Sequence, residues 1–433
     1  MTRSNQSASS RHAFLMGTAA VVALVSSTAV ALAGGFAVRE QSTEFQGMSF
    51  AGSAAMGGGI GSMFWNPAAT ANKEGFNTES NYALIIPDAE VHTKAGTSPA
   101  LTGLSNDSGR IAEMKIVPAS YMTYQFKNYD PNLFVGLGIN APFGLTTKPD
   151  NPNYQGAVLG RTSHLFTLNF NPTIAYRVNP AITIGAGLQV MYSYGKFKFA
   201  ALSPAPPPPP GVLIPGSSGF EGDDISVGAT AGINFSPAAG TNIGLGYRSQ
   251  MTQTLDGQFF SPAVGGTVAA DVELKLPDIV TLSLRQAVAP NMRLLGTVEW
   301  THWSRFDELR VKSANSGATL AAIPANWSDS WLFSVGGEYD VNQALTLRTG
   351  VGYEISPVDD PTKRIVGIPD SDRIWASIGA SYKYSASTTV EFAYTHIFLE
   401  DAELRRTSLQ NLPVVADVEA RTDILSVALK TRW

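Results

Sequence analysis

Between Ile182 and Tyr194 every second side chain is apolar (Ile182, Ile184, Ala186, Leu188, Val190, Tyr192, Tyr194), and the residues between them (Thr183, Gly185, Gly187, Gln189, Met191, Ser193) are mostly small or polar. A helix, with period 3.6, would scatter this pattern around its axis, whereas an extended strand sorts it onto two faces. The same split separates Phe166, Leu168 and Phe170 from Thr167, Asn169 and Asn171. It recurs in Leu345, Leu347, Val351 and Tyr353 against Thr346, Arg348, Gly350 and Gly352, and in Val390, Phe392 and Tyr394 against Glu391, Ala393 and Thr395. About fourteen such segments follow one another, centred near residues 83, 121, 136, 170, 188, 229, 246, 281, 298, 334, 349, 378, 393 and 426.

A strand with one greasy and one polar face fits a wall between hydrocarbon and a polar interior. Because lipid is met only at alternate positions, such a wall averages to neutral hydropathy. The mean hydropathy of +0.01 and the lack of any 18-residue apolar run after the N-terminal leader fit that wall and exclude helical membrane spans. Arg248, Arg285, Arg348, Glu299, Glu338 and Glu391 all fall in phase with the polar face. An Arg or Lys at the lipid midplane would cost about 2 to 4 kcal/mol. In the last segment Leu425, Val427, Leu429 and the terminal Trp433 share the greasy side, opposite Ser426, Lys430 and Arg432.

Short turns alternate with long excursions. The turns hold Asn128 to Pro131, Val178 to Pro180, Ser236 to Gly240, Ala289 to Asn291, Asp340 to Gln343 and Ser385 to Ser387; the excursions lie near 92–111, 141–161, 201–222, 255–267, 304–328, 355–371 and 400–416. An outer-membrane barrel has short periplasmic turns and long external loops, so both termini are expected in the periplasm. A soluble propeller, the competing reading, has no such rhythm. The expected class is all-β, a transmembrane antiparallel barrel of about 14 strands in the outer membrane of a Gram-negative bacterium.

The N-terminus agrees. Arg3 and Arg11 precede an apolar run from Ala13 to Val25, and Ala31-Leu32-Ala33 precedes Gly34, the pattern of a secretory signal peptide cut before Gly34. The chain has no cysteine, which excludes disulfides and thiolate metal sites, and its net charge of −5 gives no footprint for a nucleic acid partner. The expected division is a signal peptide at 1–33, an N-terminal segment at 34–74 and a barrel at 75–433. Residues 34–74 lack sustained alternation yet carry Phe36, Phe45, Phe50, Phe64 and Trp65. About fourteen strands enclose more space than side chains can fill, so this segment is expected in the lumen as a hatch. Asn66-Pro67 places a turn at its base. The run 204–211, PAPPPPPG, reads as a stiff spacer in an external loop.

Asn66-Pro67-Ala68 after such a segment resembles the NPA motif of the FadL-type long-chain fatty-acid transporters. PFGLTT (142–147), NFNPTIAYRVN (169–179), ELKLPDIVTL (273–282), EWTHWSRFDEL (299–309), LRTGVGYEISPVDD (347–360) and IPDSDRIWASIGASY (368–382) resemble family patterns in the family's order. The resemblance implies a hatch, an external apolar groove, passive uptake of fatty acids or similar hydrophobic molecules, and sideways release through a gap at a kink in the third strand. It also implies a monomer, built by the barrel assembly machinery, in contact with outer-membrane lipid and without a cofactor. Phe36 matches the phenylalanine of the family's inner pocket. Gly136 and Gly138 in the third strand give the freedom a kink needs, or else make room for the hatch.

For ligand contact the loop residues Phe143, Leu145, Phe259 and Phe260, together with Leu101, Leu104, Tyr154, Val158, Leu159, Val212, Leu213 and Ile214, either form a capture groove or pack on one another. A carboxylate headgroup would want a charged donor, and Arg248, Arg285 and Arg348 face inward by phase; each can equally pair with Glu299, Glu338 or Glu391. Aromatic or alkane hydrocarbons are the alternative cargo, and a structural barrel or adhesin is a third class. An enzyme is not expected. Of His92, His164, His302 and His396, two fall on the lipid-side phase and two near loops, with no nucleophile, base and acid in a recognisable arrangement.

Overall fold

The computed structural model describes residues 34–202, 213–262 and 265–433; the expected signal peptide at 1–33 and the proline run at 204–211 lie outside them. Fourteen antiparallel staves close into one barrel. In chain order they are β1 (Phe76–Thr93), β2 (Lys115–Gln125), β3 (Leu133–Asn140, resuming as Gly144–Thr147), β4 (Thr162–Asn179), β5 (Ile182–Leu202), β6 (Leu213–Ala238) and β7 (Thr241–Arg248, then Met251–Ser261). There follow β8 (Gly266–Leu276, then Ile279–Ala289), β9 (Met292–Thr301, then Glu308–Ser313), β10 (Thr319–Pro324, then Ser330–Asp340), β11 (Leu345–Ile355), β12 (Arg373–Lys383), β13 (Thr388–Leu399, then Ala402–Thr407) and β14 (Pro413–Arg432). The seam is the pairing of β1 with β14, from Asn77 opposite Arg432 to Thr93 opposite Ala416. Closure leaves no edge in the membrane, where an unpaired backbone group has no water to bond.

Alternation decides which face each strand shows. Ile184, Leu188 and Val190 point outward and are exposed, while Thr183, Gln189, Met191 and Ser193 between them are buried. Leu425, Val427 and Leu429 face out in the same way, and Ser426 and Ala428 face in. At the outer rim Tyr247, Tyr353 and Tyr394 bond Asp278, Asp372 and Asp423 at 2.6, 3.0 and 2.6 Å. These tyrosines form an interfacial belt, apolar body in the membrane and hydroxyl at the rim. His302 and His396 belong to that rim, beside Asp278 and Asp423.

Several staves run on past the stretches that alternation marks. Met251–Ser261 with Gly266–Leu276, and Glu308–Ser313 with Thr319–Pro324, are hairpins built from residues expected to be loops. Backbone pairing continues there because buried N–H and C=O groups still need partners, but no lipid imposes a greasy face.

Residues 34–71 fill the lumen almost without solvent exposure. Their only α-helix among the described residues is α1, Thr43–Gln46. Phe45, Met48, Phe50, Trp65 and the β12 residue Trp375 form a core between this segment and the wall. Irregular backbone inside a barrel needs hydrogen-bond partners, and the small polar faces of the strands supply them. Thr43 N–H donates to Asn81 at 2.9 Å, Gly52 N–H to Thr297 at 2.9 Å, Ala54 N–H to Ser283 at 3.0 Å and Met56 N–H to Asn234 at 2.9 Å. Asn66 caps the turn Pro67–Ala71 by accepting from Ala68 N–H at 3.0 Å, and its amide nitrogen donates to Ala54 O at 2.8 Å and Ile233 O at 3.0 Å. Gly246 is fixed by close approach: a Cβ there would collide with the carbonyl of Trp65.

Candidate functional site

The wall is open at one place. Pairing between β2 and β3 runs from Gln125 opposite Phe134 up to Ser120 opposite Ile139 and stops. It resumes at the bridge between Ala112 and Thr147, followed by Lys148 N–H to Ile111 O at 2.7 Å and Asp150 N–H to Arg110 O at 2.9 Å. Between these points Ala141, Pro142 and Phe143 leave the wall, and the hatch takes the bonds that the neighbouring strand has lost. Val38 N–H donates to Pro142 O at 2.9 Å, Gly144 N–H to Phe36 O at 3.0 Å, and Gln41 Nε2 to Ala141 O at 2.9 Å. Ala37 and Phe143 form an antiparallel bridge, and Tyr121 on β2 donates its hydroxyl to Gln41 O at 3.0 Å. Pro118 on β2 and Pro142 flank the gap; neither has an N–H, so each is tolerated where a ladder ends. Gly136 and Gly138, expected either at a kink or to make room for the hatch, lie in the regularly paired part of β3, opposite Thr123 and Tyr121, and a Cβ at Gly136 would meet Met63 and Thr70 of the hatch. The break comes after Asn140, where Pro142 ends the ladder.

Behind this gap Phe36 is caged by aromatic rings. Its centroid lies 4.6 Å from Trp303, 5.5 Å from Phe306, 5.9 Å from Trp327 and 6.2 Å from Phe143. Leu145 and Phe259 belong to the same apolar cluster. Phe260, one residue on, takes the other face of its strand, 5.9 Å beneath the Lys198 ammonium, and does not meet Phe36. The cavity beside Phe36, walled by Leu145, Leu165, Phe197, Phe306 and Ile368, measures only about 30 Å³, room for about two waters and no alkyl chain. A second apolar cleft of about 40 Å³ shares Leu159, Phe199, Ile323 and Ile365 with it and is capped by Arg406. Leu101, Tyr154 and Val158 pack in a separate outer cluster. Val212 lies outside the described residues, as do the side chains of Leu213 and Ile214.

Of the two roles open to the three arginines, a headgroup contact or a lumen ion pair, Arg285 and Arg348 make ion pairs and Arg248 contacts the hatch. Arg248 holds the hatch: it donates to Phe64 O at 2.9 Å, lies 4.3 Å over the Phe64 ring and bonds Gln189. Arg285 and Arg348 belong to a charged cup of about 400 Å³ at the short-turn end of the barrel, lined also by Glu338, Glu391 and Lys430. Arg285 pairs with Glu338 at 2.5 Å; Arg348 pairs with Glu338 at 2.9 Å, Glu391 at 3.5 Å and Glu44 of the hatch at 3.7 Å. Burial pushes the Glu44 carboxyl up, but the Lys430 ammonium and the Arg348 guanidinium outweigh it and hold the group well below the usual carboxylate range. In phase terms these arginines face inward as read, yet each answers an acid or the hatch. Arg406, which lines the second cleft, is a residue that sequence reading did not single out. It lies in an external stretch without alternation, among charges that look merely solvated.

A second charge cluster sits above the hatch core. Arg39 bridges Glu299 and Glu354, each at 3.1 Å, and Arg373 pairs with Asp370 and lies 3.8 Å from Glu354. Beside it Glu40 is buried, and burial raises its carboxyl to about 7, with Arg39 opposing the rise.

A closed outer-membrane barrel, plugged by its own N-terminal segment and opened toward lipid at one gap, defines a channel for apolar solutes. The chain belongs to the family of outer membrane protein transport proteins (OMPP1/FadL/TodX), whose model matches residues 22–433. It is 28% identical over 412 residues to the long-chain fatty acid transport protein of Escherichia coli O6:H1, covering 87% of this chain and 90% of that one. Among solved structures, a Pseudomonas aeruginosa FadL homologue superposes with a TM-score of 0.81 at 21% identity, over 92% of this chain and 99% of that one. The Pseudomonas putida toluene transporter TodX gives 0.65 at 16% identity, over 93% and 99%. Both likenesses concern the fold.

Proposed function

We propose that this protein takes up long-chain fatty acids passively, through loop capture, a pocket at Phe36, and release into the membrane between β2 and β3. The observation that carries the reading is the substitution of hatch backbone for wall backbone at Ala141–Gly144. Moving residues 36–41 would empty the pocket and open the wall in one motion. An alkyl chain gains about 0.8 kcal/mol per buried methylene, enough over a long tail to displace one phenylalanine from its cage. Arg406 is the proposed headgroup partner in place of the three arginines. Its guanidinium donates to the carbonyls of Thr362 and Pro324 at 2.5 and 2.8 Å, and among the described residues no carboxylate pairs with it. Residues 1–33 act as a cleaved signal peptide and 34–74 as the hatch; the barrel works as a monomer, folded by the assembly machinery, and is not an enzyme. Hydrocarbons are the competing cargo, favoured by the aromatic lining of the pocket.

The absence of native cysteine makes the test clean. An antiparallel bridge such as Ala37–Phe143 brings Cα atoms to about 4.5 to 5.5 Å, within disulfide reach. With Ala37→Cys and Phe143→Cys together, oxidation should stop oleate uptake in a transporter-null host, and reduction should restore it. Equal uptake in both redox states would refute hatch movement at the gap. Competition between oleate and toluene in the reduced protein separates the two cargoes.

A further inference from the structure

We propose that Glu354 and Asp370 form a socket for the α-ammonium group of Gly34, so that cutting the chain after Ala33 fastens the Phe36 end of the hatch. The proposal rests on the leader reading and is independent of the cargo. Gly34 N lies 2.9 Å from Glu354 Oε1, and Gly35 N lies 2.9 Å from Asp370 Oδ2. Both carboxylates are buried, at 0% and 2% exposure. Glu354 Oε2 is held by the Trp375 indole N–H at 3.0 Å and Asp370 Oδ2 by the Ser356 hydroxyl at 2.8 Å, so both acids are aimed by the wall.

Charge counting finds a cation missing. Glu299, Glu354 and Asp370 are paired with two guanidiniums, those of Arg39 and Arg373. Nearby, Arg364 directs its donors to the carbonyls of Val358, Asp370 and Glu403. A buried carboxylate lacking a full counter-charge is costly, and one ammonium at Gly34 brings the three paired acids and two guanidiniums level.

The third observation is an unused acceptor. Ser330 Oγ is fully buried without a hydrogen-bond partner, and it lies 3.5 Å from where a Cβ on Gly34 would stand. A peptide N–H at Gly34 offers one donor, already directed to Glu354. Hydrolysis of the Ala33–Gly34 amide by a leader peptidase consumes one water and leaves a carboxylate on Ala33 and an ammonium with three N–H donors on Gly34. One serves Glu354, a second is free for Ser330. The position also admits no side chain, since a Cβ would strike the Glu354 carboxylate. Two residues further on, Phe36 is thereby held among its rings.

Intact mass of the purified protein first fixes its N-terminus; a start other than Gly34 would remove the ammonium and overturn the proposal at that step. With Gly34 confirmed, 2-pyridinecarboxaldehyde at pH 7 reads the reactivity of the α-amine. It should label the folded barrel at least tenfold more slowly than the heat-unfolded chain. Glu354→Gln and Asp370→Asn should each raise the folded rate, with heat-shifted gel migration showing that the barrel is intact. Equal labelling of folded and unfolded wild-type protein would overturn the socket without touching the leader reading. A variant carrying two alanines before Gly34, confirmed by mass, moves the amine out of reach and should red-shift Trp303 and Trp327 emission; unchanged emission also counts against the proposal.

Discussion

Phe36 and Trp303 meet edge to face, with ring centroids 4.6 Å apart and planes at 67°. This contact joins the N-terminal end of the hatch to the wall, so its loss should uncouple them. Phe36→Ala removes a fully caged ring, a change of about 3 to 5 kcal/mol where the site cannot collapse. We expect a barrel that still folds, a raised open probability in planar-bilayer recordings, and quenched transfer between hatch and Trp303. A conductance equal to that of the wild type would mean that the cage does not hold the hatch shut.

Arg406 lines an apolar cleft and, among the described residues, answers no acid. Hydrogen bonds to charged groups are worth about 1.5 to 3 kcal/mol, so Arg406→Gln should weaken oleate binding about tenfold or more. Methyl oleate, which has no carboxylate, should bind both proteins alike. Isothermal titration in detergent compares the two ligands directly.

Asn66 donates to two hatch and wall carbonyls and caps a turn. Asn66→Ala leaves buried carbonyls without donors, at about 1 to 3 kcal/mol each. Hydrogen exchange across residues 36–71 should rise by one to two orders of magnitude, with β-sheet protection in the barrel unchanged. Gly246→Ala, which drives a methyl into the Trp65 carbonyl, should do the same from the wall side.

Glu40 sets a pH dependence. Buried in the docked hatch it titrates near 7, and when released it returns to its ordinary 4.5. Between those values the docked form holds a proton that the released form has lost, so docking weakens as pH rises from 4.5 to 7 and is constant above. Tryptic cleavage after Arg39 should therefore be slower at pH 6 than at pH 8, and Glu40→Gln should flatten the difference.

All fourteen strand centres were legible because hydrocarbon imposes a rule on every second residue, as at Ile184, Leu188 and Val190. Above the membrane that rule lapses, and hairpins such as Glu308–Ser313 with Thr319–Pro324 look like loops. Phase told correctly that Arg285 and Arg348 point inward, but depth along the strand, which puts them in the cup and not beside Phe36, is not a periodic quantity. The gap was marked by Pro118 and Pro142 more than by Gly136 and Gly138: a missing donor is local chemistry, whereas glycine's freedom is used for several ends.

The seam between β1 and β14 carries a consequence for biogenesis. The hatch precedes β1 directly, so it enters the ring from one margin of that seam, and its backbone draws donors and acceptors from at least six different staves. A cylinder zipped shut before the segment was seated would have to thread a bulky, multiply bonded knot through a finished bore. Seating before closure avoids that threading, which predicts that joining of the first and last staves is the closing event of maturation.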